Sequence, residues 1–210
     1  MIRRLAEEEG ERRSSLPMDC IHDVLEFWFS DDARDAWFHP DPEFDQTIRK
    51  RFAQLVARAA RGELESWQTS AEGCLALCIL LDQMPRHMFR GDPRAFATDE
   101  QALAVADHAL AEGFDRSLTR QQTQFIYMPF MHSENLADQL RALALFESGG
   151  MTENRRFAEE HVAIIRRFGR FPHRNAIFGR PSTEAEVEYL SGVQENYGQP
   201  SPGPDAHRLP

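Results

Sequence analysis

The chain has almost no lysine and little cysteine. Lys50 is the only lysine among 210 residues, so arginine supplies nearly all of the positive charge. Cys74 and Cys78 lie four residues apart inside an apolar segment, where a thiol is usually a small core residue. A disulfide framework, a Cys-x-x-Cys redox motif and a zinc site built on two cysteine pairs are not indicated. A reducing, cytoplasmic location fits this cysteine usage.

The chain also lacks a basic excess and a long apolar run. Its formal net charge of -10 argues against general binding to nucleic acid or to a membrane surface, because both need a basic face. The longest apolar run, residues 74–81, is far shorter than the ~20 residues that span a membrane. Residues 1–15 contain no apolar core segment, so no secretory signal is indicated. We expect a cytoplasmic protein without a nucleic-acid or membrane partner.

No stretch alternates polar and apolar residues with a period of two, so no strand is predicted. Apolar residues recur at helical spacing instead, beginning with residues 19–30. Asp41 followed by Pro42 predicts the start of the next helix, and Thr183 with Glu186 predicts a capping box before the last. Short loops between such segments favour antiparallel helical hairpins. We predict an all-α fold with a disordered leader (1–17), one helical domain (18–192) and a disordered tail (193–210).

Residues 75–99 pass from the most apolar run of the chain into a dense group of charges. Asp82, Arg86 and Arg90 are spaced four residues apart, so a continuous helix would place all three on one face. Charges that directly follow a buried run are costly unless they are paired or functional. We therefore predict that the two arginines bind an anion, or that the three residues act as struts between helices. The common face exists only if the helix continues past Pro85.

A second polar segment begins at His132, which is followed by Glu134 and Asp138. A histidine beside two carboxylates suits acid–base chemistry or metal binding. The same acidic residues would also suit the first turn of a helix, where they complement the helix dipole. The spacing alone leaves all three interpretations open.

A third polar segment, residues 170–175, places His173, Arg174 and Asn175 in a loop. Loops that carry several different hydrogen-bond donors often bind ligands. Basic residues after a helix can also interact with its last carbonyl groups. We favour a binding role, because a tight loop alone does not require so many distinct donors.

Three long segments together resemble one known family. They read LLDQMPRHMFRGDPRAFATD, FIYMPFMHSENLADQ and RRFGRFPHRNAIFGRPSTEAEVEYL, and the earlier DVLEFWF and FDQTIRKRF segments fit the same pattern. They are similar to the signature segments of the bacterial domain of unknown function 924 family, over residues 18–190. The resemblance implies an all-helical, tetratricopeptide-like superhelical bundle. It implies no reaction.

The preferred functional hypothesis is an Arg/His-lined polar pocket for a small anionic molecule such as a carboxylate or a phosphate. If the protein is an enzyme, the expected chemistry is proton transfer or hydrolysis of that anion, with the carboxylates orienting the histidines. The cofactor, if there is one, is unknown from the sequence. The assigned catalytic residues are His132, His173 and Glu134, and the assigned ligand-binding residues are Asp82, Arg86, Arg90, Asp138, Arg174 and Asn175.

Two other functions remain open on the sequence. A tetratricopeptide-like scaffold would bind a peptide or protein partner in a concave groove, with the polar residues serving only as struts. A metal-dependent enzyme would use His132, Glu134 and His173 as ligands. A homodimer is compatible with the sequence, although no heptad pattern or exposed apolar stripe demands one.

Overall fold

The computed structural model describes residues 18–192, and all regular structure in that range is helical. The all-α prediction is therefore confirmed, whereas the predicted leader and tail lie outside the described residues and the tetratricopeptide-like arrangement stays a prediction. No helix of the described range is long and apolar enough to cross a membrane. The α-helices are α1 (Met18–Trp28), α2 (Asp31–Ala36), α3 (Pro42–Ala60), α4 (Ala71–Cys78), α5 (Met84–Met88), α6 (Asp99–Ala111), α7 (Arg120–His132), α8 (Leu136–Ser148), α9 (Thr152–Phe168) and α10 (Glu184–Gly192).

Several helices begin at the predicted capping residues. The Asp41 carboxylate accepts hydrogen bonds from two backbone N–H groups of the first turn of α3, at 2.9 and 3.0 Å, and Pro42 is the first helical residue. At α10 the Thr183 N–H donates to Glu186 Oε2 at 2.7 Å, and the Glu186 N–H donates back to the Thr183 hydroxyl. Helix α2 is an addition to the prediction. It is capped by Ser30, and its six residues are too few to show a helical period.

The buried helix that starts at Ala71 does not break at the proline. A π turn over Ile79–Gln83 joins α4 to α5, and the Met84 N–H donates to the carbonyl five residues earlier. Because Pro85 has no N–H, it cannot donate to a carbonyl of the preceding turn. The Leu81 carbonyl instead accepts a hydrogen bond from the Thr98 hydroxyl. Single π turns inside α-helices occur frequently at functional sites.

We expect Thr98→Val to lower the free energy of unfolding by about 1–3 kcal/mol, because the buried Leu81 carbonyl would lose its donor at nearly constant side-chain volume. Urea unfolding measures the change. Thr47→Val is the matched control: the exposed Thr47 hydroxyl also bonds a backbone carbonyl, that of Glu43, and its loss should change stability by less than about 0.5 kcal/mol. Equal losses at both positions would show that the Thr98 bond has no special role.

Helices α8 and α9 make the most extensive helix–helix contact of the described chain. The connection between them is short, and Gly150 adopts the positive φ of 63° that this turn requires. The α9 helix ends at Gly169, where a φ of 69° turns the chain into a loop that returns toward the end of α7. This loop contains the short helical turn Pro172–Arg174 and brings Arg174 to the candidate site.

Candidate functional site

At the C-terminal end of α7, His132 is hydrogen-bonded to Asp82 of the π turn. Its Nδ1 lies 2.8 Å from Oδ1 and 2.9 Å from Oδ2 of the carboxylate. A carboxylate only accepts hydrogen bonds, so the proton of a neutral imidazole lies on Nδ1. Nε2 makes no hydrogen bond within the described residues, and the His132 ring lines a cavity. The ring that lines the cavity therefore carries an unprotonated Nε2.

Burial and neighbouring charges set the ionisation of this pair. Burial raises the pKa of Asp82, but the charge of Arg86 and the contact with His132 outweigh it and hold the pKa at about 2. Burial lowers the pKa of His132; the carboxylate of Asp82 opposes this effect and the charge of Arg86 adds to it. At neutral pH the pair is therefore a carboxylate and a neutral imidazole, which is the state that a general base needs.

The guanidinium of Arg86 is paired with the carboxylates of Asp99 and Asp82. Its two terminal nitrogens donate to Asp99 at 2.8 and 2.9 Å, a bidentate pair that ties α5 to the start of α6. The same guanidinium bonds the backbone carbonyl of Asp82 and lies 3.1 Å from its carboxylate. Arg86 therefore serves to neutralise two acidic residues and has little capacity left for a ligand.

Arg174 is buried, and its guanidinium has no hydrogen-bonded carboxylate among residues 18–192. It lies over the rings of Phe96 and Phe171, 4.6 Å from each ring centroid. Asp99 Oδ2 lies 3.6 Å away, beyond hydrogen-bonding distance, and the buried Nε has no hydrogen-bond partner within the described residues. Burial lowers the pKa of Arg174 to about 10, and the charge of Arg86 acts in the same direction. The group is still a cation at neutral pH.

Glu134 holds the loop that carries Arg174. Its carboxylate accepts two hydrogen bonds from Arg180, at 2.7 and 2.9 Å, and one from the Phe171 N–H at 2.8 Å. Burial raises the pKa of Glu134, but the bonds from Arg180 and Phe171 more than offset that effect, so the pKa falls. The residue predicted to be catalytic thus makes contacts that position the loop.

These groups meet at one cavity of about 240 Å³. It lies between the start of α6, the end of α7 and the loop after α9. Of the nine predicted site residues, His132, Glu134 and Arg174 line it, and Asp82 contacts the cavity-lining His132. The lining residues are Phe96, Asp99, Glu100, Leu103, Pro129, His132, Ser133, Glu134, Arg174 and Phe178.

Arg90 lies in a different cluster from Asp82 and Arg86. It donates to Asp45 at 2.6 and 3.0 Å, and Asp45 also bonds Nδ1 of the buried His87. The predicted common face is wrong for Arg90, because α5 ends at Met88 and the helical spacing stops before it. Arg90 therefore stabilises the contact between α3 and α5.

Three further predicted residues do not line the cavity. Asp138 accepts a hydrogen bond from Ser133 at 2.7 Å, and Asn175 donates to the Ser182 hydroxyl at 3.1 Å. His173 packs against the Phe171 ring, with centroids 5.4 Å apart, and burial together with the charge of Arg174 lowers its pKa well below the ordinary value. Their contacts hold the loop and the start of α8, and the assignment of His173 as an acid–base group stays a prediction.

The predicted metal set does not assemble. Within residues 18–192, no three side chains of His, Cys, Asp or Glu are grouped so that they could hold a metal ion. The Glu134 oxygens already accept hydrogen bonds from Arg180 and Phe171, and His173 packs on an aromatic ring. His132, Glu134 and His173 therefore do not form a ligand set.

Fold and site define an all-α protein in which the buried Asp82 is paired with His132, at a cavity that Arg174 also lines. The family described as bacterial protein of unknown function (DUF924) matches residues 24–193, and the chain belongs to this family, as its signature segments predicted. The chain is also similar to a solved structure of a protein of unknown function, ATU0120, from Agrobacterium tumefaciens. The two are 41% identical with a TM-score of 0.79, over 83% of this chain and 98% of the other. No curated protein matches the chain.

Proposed function

We propose that the cavity binds a small anionic molecule through Arg174 and that His132 transfers a proton to or from it. One observation carries this proposal. Arg174 and His132 line the same cavity. Within the described residues the buried guanidinium of Arg174 has no hydrogen-bonded carboxylate, and Nε2 of His132 is unprotonated. Arg174 is the binding group for an anion, and His132 is the base that acts on the bound anion.

The state of Arg174 supports an anionic ligand. Taking a charge out of water costs several kcal/mol, on the order of what a good ion pair returns, so buried cations normally have carboxylate partners. Arg86, Arg90 and Arg180 follow that rule. Arg174 has only a weaker partner: the nearest carboxylate oxygen, Oδ2 of Asp99, lies 3.6 Å away, and the Nε–H of Arg174 has no acceptor among the described residues. A bound anion would supply the missing acceptor.

The Asp82–His132 pair supports proton transfer. Nε2 can take a proton from the ligand or from a water molecule that then attacks it. The Nδ1–H bond to Asp82 fixes the ring and stabilises the imidazolium that forms. Proton transfer within the ligand and hydrolysis both use this arrangement.

The experiment is a turnover screen of the purified chain against small carboxylic acids and their esters and amides. We expect activity on at least one compound class, and we expect His132→Gln to lower that rate by about 10²–10⁴-fold, as is usual for loss of a general base. His22→Gln is the matched control, because His22 is an exposed histidine on α1 and should leave the rate unchanged. Full activity of His132→Gln would contradict the proposed role.

The second candidate is a scaffold, with the tetratricopeptide-like arrangement that the family resemblance implies. Leu136 and Leu140 favour it, because they lie one turn apart on α8 and expose 38% and 40% of their surface. This function predicts peptide binding that survives Arg174→Met and His132→Gln. Loss of that binding in Leu140→Ser alone would support the scaffold over the enzyme.

A further inference from the structure

Arg174 presents hydrogen-bond donors in one plane. Its guanidinium carbon lies 4.6 Å from the ring centroids of Phe96 and Phe171. The N–H donors of a guanidinium lie in its own plane, and Nε of Arg174 has no hydrogen-bond partner within the described residues. A carboxylate is planar and pairs with such an edge through two parallel hydrogen bonds. The shape of the donor therefore suits a carboxylate.

The charge around the cavity limits the charge of the ligand. With His132 neutral, four carboxylates stand against three guanidinium groups, so the site has a net charge of -1 before a ligand binds. A monoanion adds one further negative charge beside Arg174, whereas a phosphate dianion adds two. The carboxylates of the site repel the dianion more strongly, because the site is partly buried and screening by water is weak there. The four acidic groups are Asp82, Asp99, Glu100 and Glu134, and the three basic groups are Arg86, Arg174 and Arg180.

Part of the lining of the cavity is apolar. The apolar lining residues are Phe96, Leu103, Pro129 and Phe178. Such a surface favours a hydrocarbon portion of the ligand over a second polar group. The volume of about 240 Å³ is below the range of about 300–1,000 Å³ that is typical for larger ligands, so the hydrocarbon portion is short.

We infer that the ligand of this cavity is a small monocarboxylate with a short hydrocarbon body. Its carboxylate pairs with the N–H edge of Arg174, its body packs against Leu103, Pro129 and Phe178, and its reacting group lies near Nε2 of His132. The inference rests on the proposed function and adds the ligand class to it.

Calorimetric titration at about pH 7.5 with butyrate, butyramide and inorganic phosphate tests the inference. We expect butyrate to bind at least about tenfold more tightly than either of the others. Butyramide has the same shape without the charge, and phosphate has the charge without the hydrocarbon body. The three probes therefore separate the two features of the ligand.

Two arginine variants locate the binding. Arg174→Met should weaken butyrate at least about tenfold. Arg167→Met is the matched control, because Arg167 also lies over a phenylalanine ring, 4.7 Å from Phe168, but is exposed and outside the cavity. It should leave the butyrate affinity unchanged.

The outcomes separate the two proposals. Phosphate that binds more tightly than butyrate, in a way that Arg174→Met abolishes, would overturn the monocarboxylate inference and leave the anion site in place. Butyrate affinity that Arg174→Met does not change would overturn both. Equal affinity for butyrate and butyramide would overturn the role of the carboxylate.

Discussion

Replacing Arg86 with methionine should lower the free energy of unfolding by about 3–5 kcal/mol. Arg86 neutralises two acidic groups, Asp99 through a bidentate bond at 2.8 and 2.9 Å and the fully buried Asp82 at 3.1 Å. Removing the cation leaves the fully buried Asp82 with hydrogen bonds from His132 and Gln83 but without its counter-charge, and it leaves the partly buried Asp99 without its bidentate partner. Breaking a buried ion pair from one side in this way is costly. Urea unfolding at neutral pH measures the loss.

Arg174→Met is the matched variant, and we expect a different result. In the described part of the chain Arg174 has no hydrogen-bonded carboxylate, and Asp99 keeps its two bonds to Arg86 when Arg174 is replaced. The cost of burying the cation disappears, while the lost contact with the Phe rings is partly replaced by a sulfur–aromatic contact of roughly 0.3–1.5 kcal/mol. Stability should stay within about 1 kcal/mol of the wild type or rise. A loss as large as that of Arg86→Met would show that Arg174 is a strut.

Lowering the pH from about 7.5 to about 5 should reduce the free energy of unfolding by about 2 kcal/mol through His161 alone. His161 is buried, and burial lowers its pKa to about 4 against an ordinary value of 6.5. Between those two values the unfolded chain binds more protons than the folded chain, so stability falls as the pH falls. The loss begins near pH 6.5 and is complete near pH 4.

The control for this prediction is a pair of histidine variants. His161→Leu should flatten the dependence of stability on pH by about 2 kcal/mol over the same range, because no proton then binds at that position in either state. His22→Leu should leave the dependence unchanged, because His22 is exposed on α1. Urea unfolding at a series of pH values gives both curves. A pH dependence that His161→Leu leaves intact would contradict the prediction.

The helix ends were predictable because local chemistry sets them. The carboxylate of Asp41 and the hydroxyl of Thr183 satisfy N–H groups within three residues of their own position, so a short stretch of sequence contains the whole interaction. Gly169 likewise ends α9 with a positive φ that few other residues adopt. Signals of this kind do not depend on the rest of the fold.

The site was only partly predictable because its contacts are long-range. His132 and Asp82 were both assigned to the site, but their 50-residue separation gave no sign that they pair with each other. Asp99 lies at the start of α6, a position that suggests helix capping, and its bond to Arg86 depends on how α5 and α6 pack. The prediction for Arg90 was wrong because it relied on local spacing alone. The spacing of four residues continues to Arg90 in the sequence, but the helix ends at Met88.

The most direct test of the proposed site is a histidine-selective NMR measurement of the His132 ring, with and without butyrate. We expect a neutral ring protonated on Nδ1 at neutral pH, because Asp82 accepts that proton. We also expect butyrate to shift the Nε2 resonance of the wild type and not that of Arg174→Met. A ring protonated on Nε2, or a butyrate-induced shift that persists in Arg174→Met, would contradict the proposed site.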